Sequence, residues 1–594
     1  MWTRRISWIG PGRGVGTVSL IIVLTWAGTA CAVIPTGNKP IAVADARKGN
    51  PLGDPYARVI AMPPKDGWSP EKVVTGFRAA MASPDDPERE IARRYLTDAF
   101  AKQWNPKGDV TVYEHGEYEK FSSVQEDEGK ARVTLKGDIT AYIGQDGRYK
   151  PSGGPLNMPF SLVKGPNGWR ISGGPEGLVL SESDVDHGYR PVDLYFLDSE
   201  WKGLVIDQVR VPIDPTANSA KTAVERLLQG PSSLLKGAVK TAFEPDTKLI
   251  DVTTEDNRVI IDLNKRVASD LIGPMAAQLA GTLSTLTKGG WGFRVEVNGE
   301  SYYSDSSLQI EAQEQSAFDH WMTPRDIAPF YMSDGGLRLL TSEKIGQPVP
   351  GRAGEKDETR TYPAISDEKP ARVAALSKGG KSISVASISA GGEWQEWATG
   401  ESLTPPSWDR YDTLWTVNRP NDHTSVVIRH DRYNRQQYRV TAPELDTVYV
   451  KSLKIARDGV HVAVVVKDGA EEQVKIGTVV GQGSATRIDN LQSVVQGKAI
   501  KDIAWNDGKS LYVLTEKSEL LEASVAAEAK PLPPDPRIQS ITALDGSLLA
   551  GAKDDGKLQI LYRTSAKWEE LVKDEAGKPD FVENGPTSPV YPLG

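Results

Sequence analysis

Trp408-Asp409-Arg410-Tyr411-Asp412-Thr413-Leu414-Trp415 sets a tight turn at Tyr411-Asp412 ahead of an apolar, strand-like stretch. The same slot recurs through the last part of the chain, at Asp334-Gly335, Gly379-Gly380, Asp458-Gly459, Asp507-Gly508 and Asp545-Gly546. Counted from the second residue of each turn, the spacings are 45, 32, 47, 49 and 38 residues. A period near that of known blade repeats, with several short strands per unit, predicts a β-propeller over residues 330–594. One small sheet cannot bury its own faces and must stack on neighbours around an axis. Six blades fit the six turns, five or seven stay compatible with the uneven steps, and a β-sandwich array is the competing reading. Trp408 and Trp415 are expected in the core between blades, where aromatics dominate packing, or else as exposed recognition aromatics.

Upstream, residues 190–305 read as a second unit of mixed type. Val192, Leu194 and Phe196 alternate, the turn Glu200-Trp201-Lys202-Gly203 follows, and Leu204, Ile206, Val209 and Val211 continue as strand. A helix from about Asn218 places Ala220, Ala223, Val224, Leu227 and Leu228 inward and stops at Gly230-Pro231. Leu249–Val252 and Val259–Leu263 flank a turn at Glu255-Asp256-Asn257. Ile272, Met275, Ala276, Leu279, Leu283 and Leu286 then recur at helical spacing before a strand, Phe293–Val297. The expectation is an α+β domain with two helices on one face of a sheet, followed by a linker at 306–329.

Residues 57–189 begin with a helix signal at Ser69-Pro70-Glu71, where serine can cap and proline suits the first helical position. A second start at Asp85-Asp86-Pro87 leads into Ile91, Tyr95 and Leu96, and strand-like stretches run from Val110 to Trp169-Arg170-Ile171. Helices followed by a curved antiparallel sheet resemble the NTF2-like cone, an α+β class that often holds a pocket. No convincing catalytic pair falls within it here.

The amino terminus carries Arg4, Arg5 and Arg13, then an apolar run from Val15 to Ala30, then Cys31, the only cysteine in the chain. A basic leader, an apolar segment and small residues at the cut site describe a signal peptide over residues 1–30. Gly28-Thr29-Ala30-Cys31 resembles a bacterial lipobox, although Gly28 stands where leucine is usual. That resemblance implies cleavage between Ala30 and Cys31 and acylation of Cys31, as an S-diacylglycerol thioether and an N-acyl group. The apolar run is shorter than the roughly 20 residues a membrane span needs. Residues 31–56, rich in proline, glycine and small polar residues, read as a tether.

Composition narrows the function. A chain of 594 residues exceeds what one core supports, which predicts about three domains. A net charge of −9 argues against nucleic acid, whose phosphates call for basic patches. Acidity also gives no overall help on an anionic membrane, so retention there is expected to rest on the lipid. With Cys31 acylated no thiol is left for a disulfide or metal. The histidines His115, His187, His320, His423, His430 and His461 are scattered without metal-ligand spacing. Gly380-Lys381-Ser382 and Gly508-Lys509-Ser510 end like phosphate loops, but the earlier glycine is replaced by Ala375 and Ile503. No cofactor and no enzyme chemistry is expected.

Several motifs in the second unit resemble the GerMN domain of spore-germination and envelope proteins: Asp193–Phe196, Leu227–Pro231, Thr241–Thr247, Val259–Leu263 and Gln278–Thr282. The resemblance implies a binding or scaffold module. A lipobox, an N-terminal α+β domain, a GerMN-like domain and a propeller, with the distinctive Pro405–Asp409 segment and Trp415, resemble the actinobacterial LpqB lipoprotein family. That likeness implies a lipoprotein held at the extracytoplasmic face of the cell membrane. It further implies contact with the ectodomain of the Mtr two-component sensor kinase, an adaptor in cell-envelope and division control. The rival expectation is a protein that binds or processes cell-wall glycan or peptidoglycan in the first domain's pocket or the propeller mouth.

Overall fold

Ser69 opens the first domain as its sequence predicts. Its Oγ accepts from Lys72 N at 3.4 Å, Pro70 takes the first helical position, and α1 (Pro70–Met81) buries Val73, Val74, Phe77, Ala80 and Met81. The computed structural model describes residues 61–594 and the two-residue strands Ile41–Ala42 and Ala57–Arg58. It leaves out 115–119, 128, 215–217, 256–257, 287–291, 304–307, 322–326, 341–345, 433–435, 566 and 573–582. The expected signal peptide, Cys31 and His115 lie outside the described residues.

The second helix signal resolves into two short helices, α2 (Glu90–Arg93) and α3 (Asp98–Gln103). The Asp86 carboxylate accepts from Glu90 N and Ile91 N, and Thr97 starts a new cap while its own N–H donates to Ile171 O at 2.8 Å. Docking to the sheet thus interrupts what reads as one helix. The sheet comprises β1 (Val110–Tyr113), β2 (Lys120–Asp127), β3 (Lys130–Ile143), β4 (Tyr149–Gly165), β5 (Gly168–Gly173) and β6 (Leu178–Ser181), and α4 (Glu182–Gly188) leads from β6 into the second domain. Its order is β5-β4-β3-β1-β6, with β2 also paired to β3. One pairing, β1 with β6, is parallel, a departure from the all-antiparallel expectation. After β5 the chain crosses to the far edge of the sheet, where only a parallel approach is open to it.

In the second domain β7 (Tyr189–Leu197) and β8 (Leu204–Pro212) form a two-stranded sheet of their own. The helix α5 (Ser219–Leu228) is capped by Asn218, whose Oδ1 accepts from Lys221 N at 2.7 Å, and ends before Gly230 at φ 90°. A second sheet pairs β9 (Leu249–Glu255) antiparallel with β10 (Arg258–Leu263), and β10 parallel with β11 (Gly292–Val297). As expected, two helices lie on one sheet: α5 and α6 (Ile272–Ser284) both pack against β7 and against each other, α5 also meets β9, and α6 is buried from Met275 to Leu283. Of the stretch 306–329, expected to be a linker, residues 308–321 are folded onto this domain. Leu308–Ile310 pairs with β11, Ala312–Ala317 packs on α6, Phe318 O accepts from Leu204 N, and Trp321 is buried. Its apolar residues gain more from that burial than a solvated linker would.

Among the described residues the propeller has six blades. Blades 1 to 5, over 360–399, 407–439, 449–496, 500–532 and 538–570, are four-stranded antiparallel sheets. In blade 6 the C-terminal strand Thr587–Val590 pairs with Phe330–Ser333, which pairs with Gly336–Leu339, so the two ends of the domain close one ring. Trp408 and Trp415 are 1% and 2% exposed, in the core as expected. The uneven spacing of the turns now has a cause. Asp334-Gly335 joins the two outer strands of blade 6 and Gly379-Gly380 joins the second and third strands of blade 1, at one end of the ring. The other four join first to second strands, at the opposite end.

Candidate functional site

The turn in blade 2 is built around Asp409. Its buried carboxylate accepts from Tyr411 N at 2.8 Å, Thr413 N at 2.9 Å and Trp415 Nε1 at 2.7 Å, and Asp412 takes a left-handed conformation at φ 57°. Burial pushes the Asp409 carboxyl up to about 6, against the pull of those donors. With the turn fixed from inside, Arg410 and Tyr411 project toward the second domain.

There they meet Asp198, in the turn after β7. Its Oδ1 accepts from Glu200 N at 3.0 Å and Lys202 N at 2.9 Å; its Oδ2 accepts from Arg410 Nη1 at 2.9 Å and Tyr411 Oη at 3.0 Å. The Asp198 side chain is 0% exposed and that of Arg410 10%. Burial, then the neighbouring carboxylate, pushes the Tyr411 phenol up, so it stays a donor. His320 Nε2 lies 3.1 Å from Lys202 O; burial and then Arg410 lower its pKa and favour the neutral ring. Gly459, in the next blade's turn, has φ 76°, and an added Cβ would stand 2.8 Å from the Tyr411 ring. Backbone conformation and space both require glycine there.

Blades 3 and 4 repeat the device. Asp458 accepts from Val460 N, His461 N and, at 2.7 Å, His461 Nδ1. Against burial, which acts the other way on each, the pair holds Asp458 low and His461 high. Asp207 on β8, raised by burial, accepts from Ser232 N at 2.6 Å and Oγ at 2.8 Å and adds its charge to the field at His461. In blade 4, Asp507 fixes the turn and Lys509 Nζ reaches Asp193 Oδ2 at 2.6 Å. A continuous apolar core joins Leu194, Phe196 and Leu279 of the second domain to Ala463, Trp505 and Leu511 of the propeller.

The first domain meets the same end of the ring through polar contacts. Arg148 Nε donates to Gln492 Oε1 at 2.8 Å, and Gln492 Nε2 donates to Tyr149 O at 2.9 Å. Its interior, where a pocket was expected, is occupied by Phe77 packed against Tyr95, Trp104 and Phe160.

The far end of the ring differs. The turns at Asp334, Gly379, 421–423, 468–470, 516–517 and 554–556, one per blade, are exposed. His423 sits there, His187 is half-buried beside Ser183, and His430 is buried in blade 2. Both Gly-Lys-Ser sequences are propeller turns: Gly380 at the open end, Gly508 against Ile206 and Trp321. Among the described residues no cluster of His, Cys, Asp and Glu suits a metal, and no helix is long and apolar enough to cross a membrane. Asp198 and its partners escape a reading of the sequence because they are 212 residues apart; the one local signal is Arg410-Tyr411 inside the distinctive 405–415 segment.

A GerMN-type domain locked onto one end of a propeller, with an α+β domain before it, defines a class of multidomain protein. Three family profiles follow one another along the chain: "Lipoprotein LpqB, N-terminal domain" over 63–186, "Sporulation and spore germination" over 193–303, and "Lipoprotein LpqB beta-propeller domain" over 336–581. The chain belongs to the LpqB lipoprotein family. It is 29% identical to Lipoprotein LpqB of Thermobifida fusca, over 85% of this chain and 87% of that one. With Lipoprotein LpqB of Streptomyces avermitilis identity is 28%, over 99% and 98%, and with that of Mycobacterium tuberculosis 25%, over 84% and 86%. Among solved structures, TolB from Acinetobacter baumannii aligns at TM-score 0.34 and 11% identity, over 58% of this chain and 98% of that one, too distant to carry an argument.

Proposed function

We propose that this protein is a lipid-anchored adaptor on the extracytoplasmic face of the cell membrane. Cys31 carries the acyl chains, and the propeller recognises the ectodomain of a two-component sensor kinase. The observation that supports this reading is the asymmetry of the ring: one end is locked by buried ion pairs and a shared core, while the other offers an exposed turn from every blade. A rigid array of loops loses little conformational entropy on binding. Modulation follows if the array binds one state of the kinase more tightly than the other; equal affinity would shift nothing. The protein contributes binding and no catalytic step.

The test uses residues 32–594 and the co-resident kinase reconstituted in a membrane. Saturable binding to the ectodomain together with a changed rate of autophosphorylation is the expected result. Absence of binding at tens of micromolar contradicts the reading. The anchor is tested apart, by Cys31→Ala, which is expected to release the protein from membranes or to leave an uncleaved precursor.

A further inference from the structure

Between blades 4 and 5 the chain reads Lys530-Pro531-Leu532-Pro533-Pro534-Asp535-Pro536-Arg537, with four prolines in the six residues 531–536. A proline ring fixes its own φ near −65° and forces the residue before it out of the helical region. Lys530, Leu532, Pro533 and Asp535 each precede a proline, which confines the segment to extended or polyproline backbone. A polyproline helix repeats every three residues, and exposure follows that period: Leu532 and Asp535 are half-buried, while Pro531, Pro533, Pro534 and Pro536 are exposed. Leu532 packs on the apolar core between blades 4 and 5, as does Trp568, whose Nε1 donates to Pro533 O at 3.2 Å. Arg537 forks Asp535, from Nη2 at 2.8 Å and Nε at 3.1 Å, and its Nη1 reaches Glu570 Oε1 at 3.1 Å. One ridge of the helix is thus seated on the propeller. The other two, Pro531 with Pro534 and Pro533 with Pro536, face solvent.

The segment lies at the open end of the ring. Leu532 pairs with Leu520, the first strand residue after blade 4's open-end turn, and Ser518 in that turn donates to Pro536 O. The matching connector between blades 1 and 2 also has adjacent prolines, but Pro405 is half-buried and Pro406 buried, so their rings serve packing. A stiff connector needs the fixed φ of proline and no exposed ring; the rings of 531–536 are left over for recognition. A partner strand gains little here, because four of the six positions have no N–H to donate. A groove of aromatic rings takes a preformed polyproline helix at low entropic cost. We infer that Pro531–Pro536 is a polyproline ligand at the open end, taken by an aromatic-lined groove on the sensor kinase ectodomain. Placing the groove there rests on the adaptor reading. Prolines along one ridge repeat about every 9 Å, three residues at 3.1 Å each, which sets the spacing of the rings that receive them.

The experiment measures binding of residues 32–594 to the purified ectodomain of the co-resident kinase, alone and against a synthetic peptide of residues 529–538. Pro533→Ala, Pro534→Ala and Pro536→Ala together should weaken binding at least about tenfold, the loss of one strong contact. The native peptide, at up to about millimolar, should displace the chain, and a peptide with the same three substitutions should not. A cooperative thermal unfolding curve checks the variant's fold; where that fails, the peptides decide alone. A native chain that binds with an affinity changed by neither the substitutions nor the peptide overturns the inference and leaves the adaptor reading standing. Equal displacement by the two peptides overturns it as well. A native chain that does not bind removes both.

Discussion

The two ends of the propeller are made from the same turns and put to opposite use. At one end the turns of blades 2, 3 and 4 are held from inside by Asp409, Asp458 and Asp507 and covered by the second domain. At the other end every blade leaves a turn in solvent. A buried ion pair is weak evidence for stability in itself, because desolvation offsets much of the Coulomb gain. Its effect shows when one partner is removed, which leaves the other charge buried and alone. The locked end is therefore expected to be brittle toward single substitutions, and the open end tolerant of them.

The largest effect should come from breaking the ring on which both ends depend. Ending the chain after Pro586 removes the inner strand of blade 6 and its bond from Leu593 N to Ile365 O. Loss of cooperative unfolding of the propeller is expected, read by calorimetry. Next is Asp198→Ala, which leaves the Arg410 guanidinium buried without its carboxylate. A cost of about 3–5 kcal/mol should appear in urea unfolding, with early proteolysis between the second domain and the propeller. A similar substitution in an open-end turn, Asp422→Ala, should stay within about 0.5 kcal/mol.

The pair in blade 3 makes the comparison pH-dependent. His461 is raised in the fold, so its contribution is whole below its unfolded value of about 6.5 and is lost as pH rises through the folded value. Asp458 is lowered, so its contribution is present above about 3.8 and fails only as pH falls through a still lower value. Between pH of about 4 and 6.5 both are in force. The stability advantage of the native chain over His461→Gln should therefore shrink as pH rises from about 6 to 9. Gln492→Ala at the joint with the first domain should cost less than Asp198→Ala, because only neutral and singly charged hydrogen bonds are lost. About 1–2 kcal/mol is expected, with the second domain's contact to the propeller intact.

What the sequence made legible follows from range. Ser69, Asn218 and the glycine turns act within a few residues, and the elements they bound stand where periodicity put them. The propeller was legible from turns alone, but turns from the two ends are chemically alike, so Gly379-Gly380 and Asp334-Gly335 entered the same count as Asp458-Gly459. The first-to-second turn of blade 1 lies at 366–371 around Lys369-Pro370 and carries no glycine to mark it. The segment 306–329 looked like a linker because its strand is three residues long and its partner β11 precedes it by a loop. The locked end was the least legible: Asp198 in a turn reads as solvated until Arg410, two hundred residues later, is seen beside it.

The most direct measurement is hydrogen exchange of residues 32–594 with and without saturating kinase ectodomain. The account predicts new protection at the open end, in the turns at 421–424, 468–471, 515–519 and 554–557, with the slow exchange of 198–203 and 456–461 unchanged. Protection at the locked end with none at the open end, or no change at saturation, would contradict it.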